Sequence, residues 1–297
     1  MKTFFKAFLI IFLPFVSLAQ KEQKQPSDIL DLSKWYLTIP FDDNGQDGEN
    51  AGIAAVIYQP KLANYTLDSY FKTSFNTQSV ILKAHCGGTH TPNSGFSRTE
   101  FREMTGKFDE KQKPIKAAWS STNGRHEMEI KQAVIKLPNK RPEIVIGQIH
   151  DDKQYTIFFR LKGKKLFVRY NDTPEDVDIV FTENYQLGTI FTVKFIVENG
   201  KTECFFNGEK KFTYEKEFSN AYFKAGAYVQ SACWGKSTTK DEDCSEYGEV
   251  AIYDLRVKHI PELEAGLNKR FYRWLKDSLF ESLISVVLPC FLNLNIK

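Results

Sequence analysis

The chain has 297 residues, with 40 Lys and Arg against 37 Asp and Glu, a formal net charge of +3. That length allows one large domain or two small ones, and so small a charge supplies no global field to draw nucleic acid. There is no phosphate-binding glycine loop, dinucleotide fingerprint, zinc-finger spacing or RNA-binding aromatic motif, so anion binding must come from local clustering.

The first 19 residues read as a secretory signal. Lys2 and Lys6 form a positive start, Phe8 to Val16 is a short apolar run broken by Pro14, and Ser17-Leu18-Ala19 is a small-residue cleavage site. The mature chain is expected to start at Gln20 and to be secreted, to the medium or to a periplasm. The run is too short to span a bilayer, so no stable membrane span is expected.

Residues 20–27 are polar and read as a flexible leader. Leu32 to Ile39 predicts a first strand, and the Gly- and Asp-rich residues 42–52 predict a loop. From Tyr70 to Leu255 short strands recur between turn signals, and the 25 Phe and 13 Tyr favour strands. Asn-Gly pairs at 123–124, 199–200 and 207–208 are hairpin signals. In Phe191 to Phe206, Val193, Phe195 and Val197 alternate, the turn follows, and Cys204-Phe205-Phe206 returns. Tyr155 to Tyr170 repeats the pattern around Lys162-Gly163-Lys164. Strands do not alternate with long helices, which argues against a parallel sheet and for an all-β antiparallel sandwich of jelly-roll type over residues 28–260. Beyond Pro261 the character changes. Leu267, Phe271, Trp274, Leu275, Leu279, Leu283 and Val287 recur at helical spacing, so 261–297 is expected to be a helical tail, packed on the domain in preference to the alternative of an interfacial or partner-binding segment.

The five cysteines are 86, 204, 233, 244 and 290. Export permits disulfides, and Cys233 with Cys244 closes a polar loop. In the chain-entropy model so small a loop gains up to about 3 kcal/mol. His85-Cys86-Gly87-Gly88-Thr89-His90 offers metal-ligand types, but reads better as a loop beside a cleft; no metal is expected.

Three further segments share one design. Successive strand side chains point to opposite faces. In Ser97 to Met104 this puts Arg98, Glu100 and Arg102 on one face. In Gly147-Gln148-Ile149-His150, Gln148 and His150 flank Ile149. In Tyr222 to Gln230, Lys224, Tyr228 and Gln230 share a face with Gly226, while Phe223, Ala225, Ala227 and Val229 share the other. Side by side in one sheet, the three would form a floor rich in cations and donors, suited to a long anionic ligand.

These segments resemble the signature motifs of the alginate lyases of polysaccharide lyase family 7. The family pattern is R-(S/T)-E-(L/x)-R, then Q-(I/V)-H, then Y-F-K-A-G-x-Y-x-Q. Order and spacing fit here, Val250 to Val257 resembles the family's closing strand, and the likeness spans about residues 30 to 260. The tail departs from the usual family end. The resemblance implies a jelly roll with a concave substrate-binding sheet and β-elimination of the 1,4-linked uronates of alginate.

The chemistry explains the residue types. A base must remove the C5 proton, alpha to an ionised carboxylate, and that carboxylate must be neutralised as charge builds. Arg98 can pair with it and Gln148 can donate to it. By resemblance, Tyr228 protonates the departing O4 oxygen and is also a candidate base. His150 either neutralises the carboxylate or is the base, depending on the C5 configuration. Arg102, Lys224 and Gln230 are expected subsite contacts. Glu100 is grouped with them as substrate-binding, although holding the arginines suits it better than touching a polyanion. No cofactor is implied, and the partner is the anionic polysaccharide, met as a monomer. Ile149 goes in this family with guluronate-containing substrate.

Two other readings compete. A glycoside hydrolase needs two carboxylates flanking the bond, and Glu127 with Glu129 share a strand face. A non-catalytic carbohydrate-binding module would carry aromatic platforms without the His150–Tyr228 pair.

Overall fold

The computed structural model describes residues 24–171 and 176–262. The expected secretory signal, the start of the leader and, from 263, the tail expected to be helical, with Cys290, lie outside the described residues. The described chain holds 16 strands. They are β1 (Trp35–Thr38), β2 (Val56–Ile57), β3 (Phe71–Thr73), β4 (Val80–His85), β5 (Arg98–Phe108), β6 (Pro114–Lys116), β7 (Arg125–Lys136) and β8 (Glu143–His150). There follow β9 (Tyr155–Lys162), β10 (Lys165–Asn171), β11 (Asp176–Thr182), β12 (Phe191–Glu198), β13 (Lys201–Phe206), β14 (Glu209–Glu215), β15 (Tyr222–Val229) and β16 (Tyr247–Ile260).

These strands form two antiparallel sheets. One runs β11-β10-β9-β8-β15-β5-β1-β2, with β6 beside β5; the other runs β14-β13-β12-β7-β16-β4-β3. The second sheet backs the first, and the inward alternate residues of both fill one core. Phe159 on β9 stacks on Phe195 of β12 with ring centroids 4.1 Å apart, and Phe71 on β3 meets Phe101 on β5 edge-on at 5.7 Å. All four rings are fully buried, and each such burial contributes on the order of 2–3 kcal/mol. Among the described residues, no helix is long and apolar enough to cross a membrane.

The turns follow their chemistry. At Asn199-Gly200 and Asn207-Gly208 both residues take positive φ, the conformation of a tight two-residue hairpin. These turns join β12 to β13 and β13 to β14. Asn123-Gly124 differs. Only Gly124 has positive φ, and the turn leads into β7 beside the Ile260 carbonyl rather than closing a hairpin. The first strand is also shorter than the expected 32–39. The polar leader is docked from Lys24 onward: the Lys24 carbonyl accepts from Thr73 Oγ1, and Ser27 Oγ donates to the Ala63 carbonyl. Pro26–Asp28 is a 3-10 turn that buries Pro26.

Topology places the three motif strands together. β15 lies between β8 and β5, so segments distant in the chain become neighbours about 4.8 Å apart. Lys224 stands opposite Arg102 on one side and Gln148 on the other; Tyr228 stands opposite Arg98, and Tyr222 opposite His150.

Candidate active site

Alternation along β15 separates its two faces. Phe223, Ala225, Ala227 and Val229 are wholly buried in the core. Tyr222, Lys224, Tyr228 and Gln230 line a cleft of about 620 Å³ on the other face. Strand β8 reaches the same phase through an irregularity in its pairing with β9 between Val145 and Gly147. Val145 lines the cleft and Ile146 faces the core. A Cβ on Gly147 would meet Ile130 Cδ1 at 2.8 Å, so Gly147 also faces the core. This bulge turns Gln148 and His150 onto the cleft face.

Glu100 organises the floor. It is 1% exposed and accepts from Arg98 (3.0 Å), Lys224 Nζ (2.5 Å) and Gln148 Nε2 (2.5 Å). Burial opposes its ionisation, but Lys224 and Arg98 outweigh that and hold its pKa below the usual range. Because a carboxylate only accepts, Gln148 must turn its amide nitrogen toward Glu100, and the second N–H of that nitrogen remains for a ligand. Burial, and then the charge of Arg98, presses the Lys224 ammonium down to about 8. Arg98 and Lys224 share this carboxylate and Arg102 lines the cleft beside them, so the floor is cationic.

His150 is fixed at one end of this floor. Its Nδ1 lies 2.6 Å from the Asp151 carbonyl and 3.1 Å from Tyr222 Oη. A carbonyl only accepts, so Nδ1 carries the proton and Nε2 holds the lone pair. Burial lowers the His150 pKa, against the Asp151 bond, which favours the neutral ring. The Tyr222 ring is stacked between His150 (5.4 Å between centroids, 20°) and the Arg102 guanidinium (3.7 Å).

Tyr228 occupies the other end. Its hydroxyl is 3.1 Å from Ser94 Oγ, in the loop that leads into β5. Ser94 donates its own hydrogen to the Phe96 carbonyl and accepts from Arg98 Nη2, each at 3.0 Å. Ser94 Oγ also accepts from the Phe96 N–H at 3.2 Å, so this serine ties the Tyr228 hydroxyl to Arg98 and to the loop backbone. The Arg98 guanidinium lies 3.6 Å from the centre of the Tyr228 ring. The site thus holds an imidazole nitrogen lone pair at one end, a phenolic hydroxyl at the other, and a cationic, hydrogen-bonding floor between them.

Arg98, Arg102, Gln148, His150, Lys224, Tyr228 and Gln230 all line this cleft. Glu100 does not: its carboxylate is covered by its three donors, so the expectation that it binds substrate is corrected to a positioning role. Tyr222, Ser94, Tyr36, Arg160 and Arg169 also line the cleft and had no assigned role. For Tyr222 the signal was present, since it shares the period-two face with Lys224 and Tyr228; Ser94 is brought in only by the fold.

The rival residues lie elsewhere. Glu127 and Glu129 project from β7 in the opposite sheet, where Glu127 pairs with Arg125 and Lys194, and Glu129 with Arg256. They are ion-paired surface carboxylates far from the cleft, and the hydrolase reading loses its residues. His85 pairs with Asp47, and His90 stacks on Trp234 at 3.9 Å. Cys233 and Cys244 form a disulfide. Its loop is anchored by Trp234 Nε1 donating to the Gly87 carbonyl, behind the segment that carries Ser94. Cys86 and Cys204 are buried thiols with pKa values raised by burial.

Comparison with known proteins agrees with this geometry. A family model described as alginate lyase matches residues 30–259. The chain is similar to the solved structure of alginate lyase AlgAT5 from polysaccharide lyase family 7. They share 41% identity over 80% of this chain and 99% of that one, with a TM-score of 0.67. It is similar to the alginate lyase from Corynebacterium sp., at 34% identity over 80% and 100% of the two chains and a TM-score of 0.70. Alginate lyase A1-II', a member of polysaccharide lyase family 7, shares 25% identity over 80% and 100%, with a TM-score of 0.65. No curated protein matches the sequence.

Proposed function

The chain belongs to the alginate lyases of polysaccharide lyase family 7, and from that premise we propose that Arg98, Gln148, His150 and Tyr228 carry its reaction. It cleaves the 1,4-linked uronates of alginate by β-elimination, leaving a 4,5-unsaturated oligouronate. The observation that carries the residue assignment is the juxtaposition of β8, β15 and β5, which lines one cleft with all four side chains.

The substrate carboxylate next to C5 sits on Arg98 and the outward N–H of Gln148, with Lys224 adding charge. Loss of the C5 proton spreads negative charge onto that carboxylate, and preorganised donors lower the barrier because they need not reorient; one such donor is worth roughly 10²–10³ in rate. His150 Nε2 takes the proton. Tyr228 gives its proton to O4 as the C4–O4 bond breaks. His150 stands opposite Tyr222, and Tyr228 lies further along the same strand, so acceptor and donor approach a sugar lying between them from the two ends of the floor. That arrangement suits removal of proton and leaving group from opposite faces of the sugar, as guluronate requires, and we assign guluronate-containing regions as the preferred substrate. The isoleucine of the Gln-Ile-His motif supports the same preference. Ile149 is wholly buried on the core face, so it acts through the placement of its two neighbours.

The same reading makes residues 28–260 the catalytic domain, 261–297 an appended tail, and the protein a monomer. The short apolar run with its small-residue site at 17–19 supports export, to the medium or a periplasm.

The test is ultraviolet absorbance during incubation of mature protein with alginate, polyguluronate and polymannuronate in turn. Elimination creates a double bond conjugated to the carboxylate, which hydrolysis cannot make. Absorbance is expected to rise fastest on polyguluronate. New reducing ends without absorbance would overturn the assignment, and an equal rate on polymannuronate would overturn the preference.

A further inference from the structure

The cleft floor continues past the reaction centre onto β9 and β10, where Phe158, Arg160 and Arg169 line it. Arg160 stands opposite Phe167, and Arg169 opposite Phe158. The two arginines are therefore diagonal neighbours, about 7–8 Å apart across the strands and somewhat less at Cβ. Arg160 is 5% exposed and pairs with Glu143, yet its Nε is buried without a partner among the described residues. Glu143 is shared with Arg141 at 3.6 Å and Lys162 at 3.2 Å. Arg169 is held by both oxygens of Asp178, at 2.6 and 3.0 Å.

Among the described residues, Arg141, Arg160 and Lys162 share the Glu143 carboxylate, and Arg169 pairs with Asp178. Burial first, and then the charges of Arg169 and Arg141, press the Arg160 pKa down to about 10. An anion brought to the pair relieves that repulsion. A polyuronate carries a carboxylate on every residue. A chain that lies across the strands with one carboxylate on Arg98 and Gln148 therefore brings another toward β9 and β10.

We propose that Arg160 and Arg169 form a second carboxylate-binding position, which sets how long a uronate chain the cleft binds productively. This rests on the alginate lyase reading and deepens it. On the floor, Tyr228 stands opposite Val145 and Val145 opposite Arg160. Two strand spacings, about 10 Å, therefore separate the proton donor from the nearer arginine. At that distance the pair acts on substrate binding rather than on proton transfer.

The experiment measures kcat/KM, from the growth of ultraviolet absorbance, on guluronate oligomers of defined length from trimer to hexamer. Wild type, Arg160→Gln and Arg169→Gln are compared. A charge-assisted hydrogen bond is worth about 1.5–3 kcal/mol, so each variant is expected to lower the hexamer-to-trimer ratio of kcat/KM by about tenfold or more. A ratio equal to that of wild type in both variants would overturn the proposal. If Arg160→Gln fails to fold, Arg169→Gln alone decides, because its side chain is the more exposed of the two. Wild type that produces no absorbance on any uronate would instead overturn the lyase reading on which the position rests.

Discussion

Glu100 accepts a 2.5 Å hydrogen bond from Gln148 Nε2 across an intervening strand. The residue opposite Glu100 on that strand is Gly226. With no side chain there, the carboxylate reaches over β15 to the amide of β8. One buried anion thereby fixes an arginine, a lysine and a glutamine drawn from three strands, and aims their remaining donors into the cleft.

Glu100→Gln removes the counter-charge from two buried cations. Breaking a buried pair by deleting one partner costs about 3–5 kcal/mol. The melting temperature is expected to fall by many degrees, and kcat/KM by about 10²–10³ as Arg98 and Gln148 lose their aim. Thermal unfolding read beside initial rates checks this. A variant with a raised KM alone and unchanged melting would mean that Glu100 touches substrate after all.

Tyr228→Phe keeps the ring under Arg98 and deletes only the hydroxyl. A positioned proton donor contributes roughly 10²–10⁴, so kcat is expected to fall by that factor, while oligouronate affinity measured by calorimetry stays within a few-fold. Near-full activity would remove Tyr228 from the mechanism.

His150→Asn separates the two sugar configurations. Loss of the base is expected to lower the rate on polyguluronate by at least about 10², with a smaller loss on polymannuronate, where Tyr228 can serve both steps. Parallel absorbance assays decide it; equal losses on both polymers would leave His150 as a carboxylate contact.

The pH profile carries two signs. His150, lowered by burial, is neutral down to below the ordinary histidine value of about 6.5, so the acid limb of kcat/KM is expected below that value. Lys224 loses its charge as pH rises through about 8, which weakens the floor for an anion, so kcat/KM is expected to decline above about 8. Stability runs the opposite way for Lys224. Its folded pKa lies below its unfolded value, so the unfolded chain holds more protons between the two and stability rises with pH across that window. Lys224→Arg keeps the charge, and its alkaline limb is expected to move upward. A limb unmoved in this variant would assign the decline to another group.

Gly226→Ala tests the crossing itself. Gly226 has φ +143, and a Cβ there would stand 2.6 Å from the Thr99 carbonyl oxygen. The variant is expected to be destabilised by more than about 1 kcal/mol, seen as an earlier denaturation midpoint, with Glu100 and Gln148 no longer in register.

The sequence by itself determined the faces. Side-chain alternation in a strand is local, so Arg98, Glu100 and Arg102, or Phe223, Ala225 and Ala227, could be sorted to opposite sides without knowing any neighbour. It also carried the motif spacing that matches the family and the hairpin chemistry of Asn199-Gly200. Only the tertiary structure decided which strands lie side by side. The order β8-β15-β5 joins segments far apart in the chain, and no local propensity encodes such a pairing. The fold likewise decided that the Glu100 carboxylate is buried beneath its cations, and that Glu127 and Glu129 lie on the far sheet. It decided that a bulge turns His150 into the cleft, and that the Asp151 carbonyl selects the histidine tautomer. Each of these depends on register and on which groups water can reach. Those are set when two sheets close over one core, and not by the residues of either segment alone.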